Sequence, residues 1–269
     1  MNDRHTRFRE LHQSGCFVIP NPWDVGSARA LAHLGFKALA STSSGYAWST
    51  GRRDNNVPLQ EVLAHLRSVS SAVPVPVNAD FEGAFAIEPE GVAANVILAA
   101  ATGVAGLSIE DSTGDARHPL FDFTLAVERI AAARRAIDES GTGVLLTARS
   151  EGFIVGRPDL DETIRRLTAF AEAGAECLYA PGIRRPGDIA DVVRAVAPRA
   201  VNVLVSGDYA TVEGLAAAGV RRISVGGALA RAAWTGFLEA AREIASAGTF
   251  TSLGRAVPSS DIEGHVGDV

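Results

Sequence analysis

The segment GVLLTARSEGFIVGRPDLDETIRRLTAFAEAGAECLYAPG, residues 143–182, decides the fold. It opens with an apolar run, 143–152, that predicts a β-strand ending in polar residues. The amphipathic stretch 159–173 follows, and its apolar residues recur at helical spacing, as in Ile164, Leu167 and Ala171. A second apolar run, 176–182, then predicts another strand. Strand, helix and strand in this order indicate a parallel βαβ unit.

The same alternation runs through most of the chain. Predicted strands cover 16–24, 37–45, 73–82, 104–111, 143–152, 176–182, 200–207 and 221–227. Predicted helices cover 25–34, 58–71, 88–102, 124–139, 159–173, 186–197, 210–218 and 228–246. Eight repeats predict an α/β fold, a closed (β/α)₈ TIM barrel. An open doubly wound sheet is the alternative, although no GxGxxG motif follows the first strand.

The length of 269 residues suits one barrel. We expect residues 1–248 to form this single domain. The segment 249–269 is rich in Gly, Ser and Pro and is expected to be a loosely ordered C-terminal tail.

Composition argues against several classes of protein. The formal net charge is −6 and no basic, aromatic-rich cluster occurs, so no nucleic-acid partner is expected. The N-terminus has no apolar signal region and no apolar run is long enough to span a bilayer, which predicts a cytoplasmic protein without membrane contact. Cys16 and Cys177 each begin an apolar run without metal-ligand spacing, and we interpret both as structural thiols.

Polar residues gather at the carboxyl ends of the predicted strands, where barrel enzymes carry their active sites. Capping of the following helices explains some of these residues but not acids inside apolar strands. The polar strand ends are Asn21, Trp23 and Asp24; Thr42 to Gly45; Asn78, Asp80 and Glu82; Glu110 and Asp111; Arg149 to Glu151; Asn202 and Ser206.

The acids of two adjacent strands, Asp80, Glu82 and Glu110, are candidate metal ligands. Buried carboxylates repel one another, so their convergence requires a cation or shifted pKa values. Oxygen ligands without His or Cys favour Mg²⁺, with Mn²⁺ possible. Alternatively, one acid pairs with Arg149 and the others are solvated.

Two features predict binding of a substrate carboxylate. Arg149 ends an apolar strand, where its guanidinium can grip a carboxylate with two hydrogen bonds, or can pair structurally with Glu110 or Glu82. The turn Ser43–Gly45 offers backbone N–H groups to an anion. The only lysine, Lys37, begins the second strand at the opposite end of the barrel, which argues against Schiff-base chemistry.

These residues resemble the isocitrate lyase/phosphoenolpyruvate mutase superfamily over about 17–233. The motifs that carry the resemblance are NPWDVGSARALAHLGFKAL, STSSGYA, GRRDNN, VNADFEG, GVAGLSIED, LLTARSE and VRRISVGGALARAA. The resemblance implies a barrel, often tetrameric, whose eighth helix swaps onto a neighbour, so a homo-oligomer, dimer or tetramer, is expected. It also implies Mg²⁺ and a small 2-oxo acid substrate or its enolate.

The resemblance assigns roles residue by residue. Asp54 matches an acid of the outer metal shell, Asp80 matches one acid of the metal motif, and Glu110 matches the acid that ends the fourth strand. Glu82 is added as a fourth metal ligand. Arg149 matches the substrate arginine. Ser44, Gly45 and Tyr46 match the turn that binds the substrate carboxylate, and Asn202 lies where members often place a polar substrate contact. With the strand-end residues added, the predicted substrate-binding set is Trp23, Ser43, Ser44, Gly45, Tyr46, Arg149 and Asn202. The predicted catalytic set is Arg149, Asp54 and His118, of which His118 comes from the loop after the fourth strand and not from a family match.

Departures from the pattern affect the exact reaction. The first acid of the Asp-x-Asp metal motif is Asn78 here. The loop 110–118 lacks both the cysteine of the lyases and the Lys and Asn of the mutase, and Pro181 stands where those lyases have a Glu. Ser112, Thr113 and His118 are the remaining candidates for a proton donor in a mobile loop.

Three hypotheses follow. The leading one is a Mg²⁺-dependent lyase that cleaves a C–C bond beside the carbonyl of a small 2-oxo acid through a pyruvate enolate. The second is a mutase or hydrolase acting on the P–C bond of a phosphonopyruvate-type substrate. The third is a non-catalytic barrel that binds 2-oxo acids.

Overall fold

A computed structural model describes residues 3–267 as a barrel of eight strands. In chain order the strands are β1 Phe17–Ile19, β2 Leu39–Ala40, β3 Val77–Asp80, β4 Gly106–Glu110, β5 Leu145–Arg149, β6 Cys177–Tyr179, β7 Ala200–Leu204 and β8 Arg222–Ser224. The helices are α1 Asp3–Gln13, α2 Val25–His33, α3 Ser43–Ser49, α4 Leu59–Ala72, α5 Pro89–Ala100, α6 Phe123–Ser140, α7 Leu160–Glu172, α8 Pro186–Val196, α9 Val212–Ala217, α10 Ala228–Ala247 and α11 Ser259–Val266.

All neighbouring strands pair in parallel, in the order β1-β8-β7-β6-β5-β4-β3-β2. The two end strands approach each other as well, because the Ala40 N–H donates to the Pro20 carbonyl at 3.0 Å. The sheet is therefore a nearly closed barrel, and the predicted (β/α)₈ architecture is confirmed.

Asn21 joins the strands at this closure. Its amide Nδ2 donates to the Ser41 carbonyl at 3.0 Å, and its Oδ1 accepts from the Val225 and Gly226 N–H groups at 2.9 and 2.8 Å. One side chain thus connects the segments that follow β1, β2 and β8, at the carboxyl end of the barrel.

The opposite end of the barrel is closed by α1. Phe8 is fully buried and packs in a cluster with Phe17, Leu145 and Cys177. Cys177 is buried and Cys16 half-buried, both as free thiols. With the amino ends of the strands covered by this helix, the carboxyl ends form the open mouth.

Helix α10, which follows the eighth strand, stands away from the barrel. Ala230 is its one buried residue, while several large apolar side chains are exposed: Leu229, Trp234, Phe237 and Ile244. Among the described residues this helix packs mainly against the 3₁₀ segment Thr251–Arg255 that follows it, and these large apolar side chains remain uncovered.

The chain after Gly248 forms a 3₁₀ helix, Thr251–Arg255, and then α11. Helix α11 packs against α2, with the His33 and His265 rings stacked at 5.1 Å. The sequence did not predict these helices, and the loose order expected for the tail stays a prediction; residues 268 and 269 lie outside the described residues. None of the helices in the described range is long and apolar enough to cross a membrane.

Candidate active site

A cavity of about 290 Å³ opens at the carboxyl ends of the strands. Because each strand ends at this mouth, side chains far apart in sequence meet there. Its lining includes Asn21, Ser41–Ser44, Asp54, Asn78, Asp80, Ser108, Arg149, Glu151, Tyr179, Asn202, Arg222, Ser224 and Gly226–Gly227.

Arg149 is at the centre of the mouth and pairs with three carboxylates. Its guanidinium contacts Asp80 at 2.7 Å, Glu110 at 3.1 Å and Glu151 at 2.8 Å. Burial alone would lower the pKa of Arg149, but the attraction of these carboxylates outweighs it and raises the pKa well above the ordinary value. The side chain is therefore a fixed cation.

The acids around Arg149 carry more negative charge than one guanidinium balances. Burial raises the pKa of Glu110 and Glu151, although both contact Arg149. Burial and the neighbouring acids Asp80 and Asp54 raise the pKa of Glu82 to about 8. Such a cluster holds either protons or a further cation.

Glu82 has an unusual backbone. It adopts φ of 47°, in the left-handed region that non-glycine residues seldom occupy, and it is only 7 % exposed. Its carbonyl accepts from the Glu110 N–H at 3.0 Å, which holds the bend against β4. Strain of this kind, at a buried acid beside the mouth, is typical of a functional site.

Asp54 approaches the mouth from the loop between α3 and α4. The residue is largely accessible, but loss of water around its carboxyl and the charge of Asp80 raise its pKa, partly offset by a hydrogen bond from Ser43. Asp54 and Asp80 therefore line the same cavity, close enough for their charges to interact.

The turn after β2 continues into the short helix α3, which Thr42 caps. The Ser43 N–H donates to Asp80 Oδ2 at 3.0 Å, and the Gly45 N–H donates to Thr42 Oγ1 at 3.3 Å. Ser44 is the second residue of α3, so its N–H has no acceptor within the helix, and the residue lines the cavity. Of the predicted anion-binding amides, this one remains open to a ligand.

Gly45 is required by close packing and not by its backbone angle. A Cβ at this position would lie 2.7 Å from Thr42 Cγ2 and 2.9 Å from Trp23 Cβ. Trp23 thus supports α3 from outside the cavity. Tyr46 also points away from it and stacks on His65, with ring centroids 3.8 Å apart.

The segment after β4 forms a short hairpin, residues 111–121, beside the mouth. A bridge joins Ser112 and Leu120, and the Thr113 N–H donates to the Pro119 carbonyl at 3.0 Å. His118 is at the exposed end of this hairpin and does not line the cavity.

The base of the hairpin is fixed by a buried ion pair. Arg166 contacts Asp111 at 3.1 Å and donates to the Phe121 carbonyl at 3.0 Å. The other Asp111 oxygen accepts from the Glu151 N–H at 2.8 Å. Arg166 therefore connects the hairpin to the acid that holds Arg149.

The floor of the cavity is polar. Arg222 from β8 extends into the barrel and donates to Asn202 Oδ1 at 2.9 Å, Thr147 Oγ1 at 3.1 Å and His12 Nε2 at 3.3 Å. Asn202 Nδ2 in turn donates to Ser224 Oγ at 2.9 Å.

The structure gathers most of the predicted site residues but not all in one place. Those that line the cavity are Ser43, Ser44, Asp54, Asp80, Arg149 and Asn202. Glu110 reaches it through Arg149, whereas Glu82 is buried behind Asp80. Trp23, Gly45 and Tyr46 support the turn from outside, and His118 is exposed on the hairpin.

Several residues that line the cavity were absent from the predicted set, and two of these, Glu151 and Arg222, are charged. Both were detectable in principle. Glu151 follows Arg149 at the period of two that places side chains on one face of a strand, and Arg222 alternates in the same way with Ser224.

Comparison with known proteins identifies the family. The sequence model described as phosphoenolpyruvate phosphomutase matches residues 8–245. The chain belongs to this family. The resemblance inferred from the motifs is therefore confirmed.

Two solved structures match over nearly the whole chain, and a curated relative matches over about half of it. A structure from Burkholderia cenocepacia J2315, provisionally assigned as a lyase/mutase, is 49% identical, with a TM-score of 0.94 over 97% of this chain and 95% of that one. A 2,3-dimethylmalate lyase of the PEP mutase/isocitrate lyase superfamily is 25% identical, with a TM-score of 0.87 over 99% and 95%. The 2-methylisocitrate lyase of Escherichia coli K12 is 30% identical over 155 residues, 55% of this chain and 52% of its own. The homologues and structural neighbours are thus lyases and mutases that act on C–C or P–C bonds.

The family implies Mg²⁺, and the donor chemistry of this mouth fits that ion. Asp54 and Asp80 line the cavity, Glu82 and Glu110 are next to them, and the cluster has excess negative charge. Across residues 3–267, no three His, Cys, Asp or Glu side chains form a ready-made ligand group. Mg²⁺ retains several waters in protein sites, so this spacing suits an ion held partly through water.

Proposed function

We propose that this protein is a Mg²⁺-dependent lyase that cleaves the C–C bond next to the carbonyl of a small 2-oxo acid. The observation that carries the proposal is the pairing of Arg149 with Asp80 in one cavity with Asp54 and the open Ser44 N–H. This combination offers positive and hydrogen-bonding groups to a carboxylate beside oxygen ligands for a metal.

The 2-oxo carboxylate would bind between Arg149 and Ser44. A guanidinium has five N–H groups, and three contacts to carboxylates occupy those of Arg149 only in part. Because the three acids fix its orientation, the remaining N–H groups are preorganised for substrate. The Ser44 N–H supplies a further hydrogen bond to the same anion.

Asp80 and Asp54, with Glu82 and Glu110 through water, would hold the metal. When bound, Mg²⁺ supplies positive charge that stabilises the enolate left by cleavage. The Glu151 carboxylate keeps Arg149 in place, and Tyr179 covers the adjacent wall, with its ring centroid 5.3 Å from the guanidinium carbon. Together these residues bind, orient and shield the reacting carbonyl.

The hairpin 111–121 would supply the proton that the enolate carbon takes up after cleavage, since the bonding electrons remain on the enolate and the other fragment leaves without them. Its proton-bearing side chains are Ser112, Thr113 and His118, and we assign this role to His118. The assignment requires the hairpin tip to move toward the mouth, because His118 is exposed in this conformation.

An assay of oxaloacetate-like and alkylmalate-like acids with and without Mg²⁺ tests the proposal. Release of a 2-oxo acid product should need the metal and should be lost in Asp80→Asn. Asp191→Asn, which removes an exposed carboxylate of α8, is the matched control and should leave turnover unchanged. Turnover that persists in Asp80→Asn contradicts the proposal.

A second candidate is cleavage of a P–C bond, and the match to the phosphoenolpyruvate phosphomutase family favours it. It predicts phosphate or phosphoenolpyruvate as the product from phosphonopyruvate, detectable by phosphorus NMR. If pyruvate and oxalate bind tightly but no acid of either class is turned over, the protein is a binding barrel without catalysis.

A further inference from the structure

Arg222 is a buried cation whose described partners are all neutral. It is 3 % exposed, and its hydrogen bonds go to the oxygens of Asn202 and Thr147 and to the His12 ring. His12 stays uncharged, because burial and the charge of Arg222 lower its pKa to about 3. Its Nδ1–H accordingly donates to the Phe8 carbonyl at 2.7 Å, which leaves Nε2 to accept from Arg222.

Burial of an arginine in this way is unfavourable without an anion. Removing a charge from water costs several kcal/mol, and buried arginines are rarely unpaired for this reason. The acids nearest the mouth, Asp80, Glu110 and Glu151, make their ion pairs with Arg149. No described ion pair includes Arg222, so its guanidinium is free to attract an anionic group that enters the cavity.

The position of Arg222 is accessible to such a group from the mouth. Arg222 lines the same cavity as Arg149, and it donates to Thr147, two residues before Arg149 on β5. Two residues of a strand span about 7 Å, so the guanidinium is roughly one layer of side chains below Arg149. A cavity of about 290 Å³ has roughly ten times the ~30 Å³ occupied by one water, which leaves room below a bound pyruvyl unit.

We propose that Arg222, with Asn202 and Ser224 beside it, forms an anion subsite at the cavity floor that binds the distal carboxylate of a 2-oxo dicarboxylate. The inference rests on the proposed function for the upper half of the cavity. It narrows the substrate class to acids that carry a second negative charge beyond the pyruvyl unit.

The test compares a dicarboxylate with its monoester, which differ only at the distal group, and uses pyruvate as the reference ligand for the upper half of the cavity, all in the presence of Mg²⁺. The probes are pyruvate, 3,3-difluorooxaloacetate, which carries the distal carboxylate, and its 4-methyl ester, which lacks that charge. Affinities are measured by titration calorimetry on the wild type, Arg222→Gln and Arg222→Lys. Arg221→Gln is the matched control, because Arg221 is the adjacent arginine and points to the Gly15 carbonyl outside the cavity.

We expect the wild type to bind the dicarboxylate about 10- to 100-fold more tightly than the ester, as one charge-assisted contact provides. In Arg222→Gln this preference should vanish while pyruvate affinity changes less than about threefold. Arg222→Lys should retain part of the preference, and Arg221→Gln all of it. The ester comparison on the wild type gives an answer even if Arg222→Gln fails to fold.

Equal affinity of the wild type for the dicarboxylate and its ester overturns the subsite. An equal fall in affinity for both ligands in Arg222→Gln overturns it as well. The two proposals fail separately. Preferential binding of the dicarboxylate without turnover of any acid contradicts the lyase proposal but supports the subsite. Turnover without this binding preference supports the lyase proposal but contradicts the subsite.

Discussion

The Arg149 guanidinium on β5 donates to the Asp80 carboxylate on β3 at 2.7 Å, across the mouth of the barrel. Both side chains are mostly buried, at 15 and 17 % exposure. The two residues differ in their number of ion pairs. Arg149 contacts two further carboxylates, whereas Asp80 has no other ion pair among the described residues.

This inequality predicts different effects of removing each partner. Asp80→Asn should lower turnover by about 100-fold or more, since it removes a metal and positioning oxygen, yet change the free energy of unfolding by less than about 1 kcal/mol. Arg149→Met should cost about 3–5 kcal/mol, because it leaves three buried carboxylates without their cation. Urea unfolding and steady-state kinetics of the two variants check this; equal destabilisation by both contradicts it.

Glu82 makes stability depend on pH in an unusual direction. Its pKa is about 8 in the folded protein against 4.5 in the unfolded chain, so the folded state retains a proton that the unfolded state loses. The contribution of Glu82 to stability is therefore complete below pH 4.5 and is lost as the pH rises through 8.

Glu82→Gln should remove this dependence. The variant should match the wild type near pH 4.5 and exceed its free energy of unfolding by an amount on the order of 3–5 kcal/mol above pH 8. Urea titrations from pH 4.5 to 9 without divalent metal measure the difference. Glu172→Gln, at an exposed position of α7, is the control and should parallel the wild type at every pH.

His118 provides a test of the hairpin 111–121. If it delivers the proton to the enolate carbon, His118→Asn should lower kcat by about 100-fold, the usual scale for one general acid, and leave the affinity for oxalate unchanged. Arg117→Gln alters the neighbouring exposed residue and should retain activity. A wild-type kcat in His118→Asn would contradict His118 as the proton donor and would leave Ser112 and Thr113 as the candidates.

The sequence predicted the barrel because its signal is local and repeated. Each strand is marked by apolar residues that alternate or run continuously, and each intervening helix by apolar residues at helical spacing. These patterns depend on neighbouring residues alone. The acids and Arg149 were predicted for a related reason, since polar residues at the ends of buried strands meet at one end of any parallel barrel.

Other features depend on contacts between distant residues and could not be predicted. Helix α1 is polar apart from a few side chains, and the burial of Phe8 exists only because the barrel offers a floor. Helix α3 has no apolar period and is fixed by the Thr42 cap and the close approach of Gly45 to Trp23.

Helix α10 predicts self-association. Its exposed Trp234 and Phe237 form an edge-to-face pair with centroids 5.3 Å apart, and Trp234 also lines a groove of about 640 Å³ against Trp48 of α3. Uncovered aromatic surface of this extent on the helix after the last barrel strand suits exchange with a second copy, as the sequence resemblance implies.

Phe237→Glu should therefore shift the protein from a dimer or tetramer toward monomer in sedimentation equilibrium, because a charge at the centre of an apolar contact is not tolerated. Ile87→Glu is the matched control, since Ile87 is equally exposed, at 61 % against 59 %, but is remote from α10 in sequence and lies between β3 and α5. The control should retain the wild-type mass. A wild-type protein that sediments as a monomer at all concentrations would show that α10 needs no second copy.

Activity measured on the monomeric Phe237→Glu variant separates two roles of α10. Loss of turnover with retained pyruvate binding would mean that α10 of the second copy completes the wall formed by α3. Full turnover would mean that each barrel works alone.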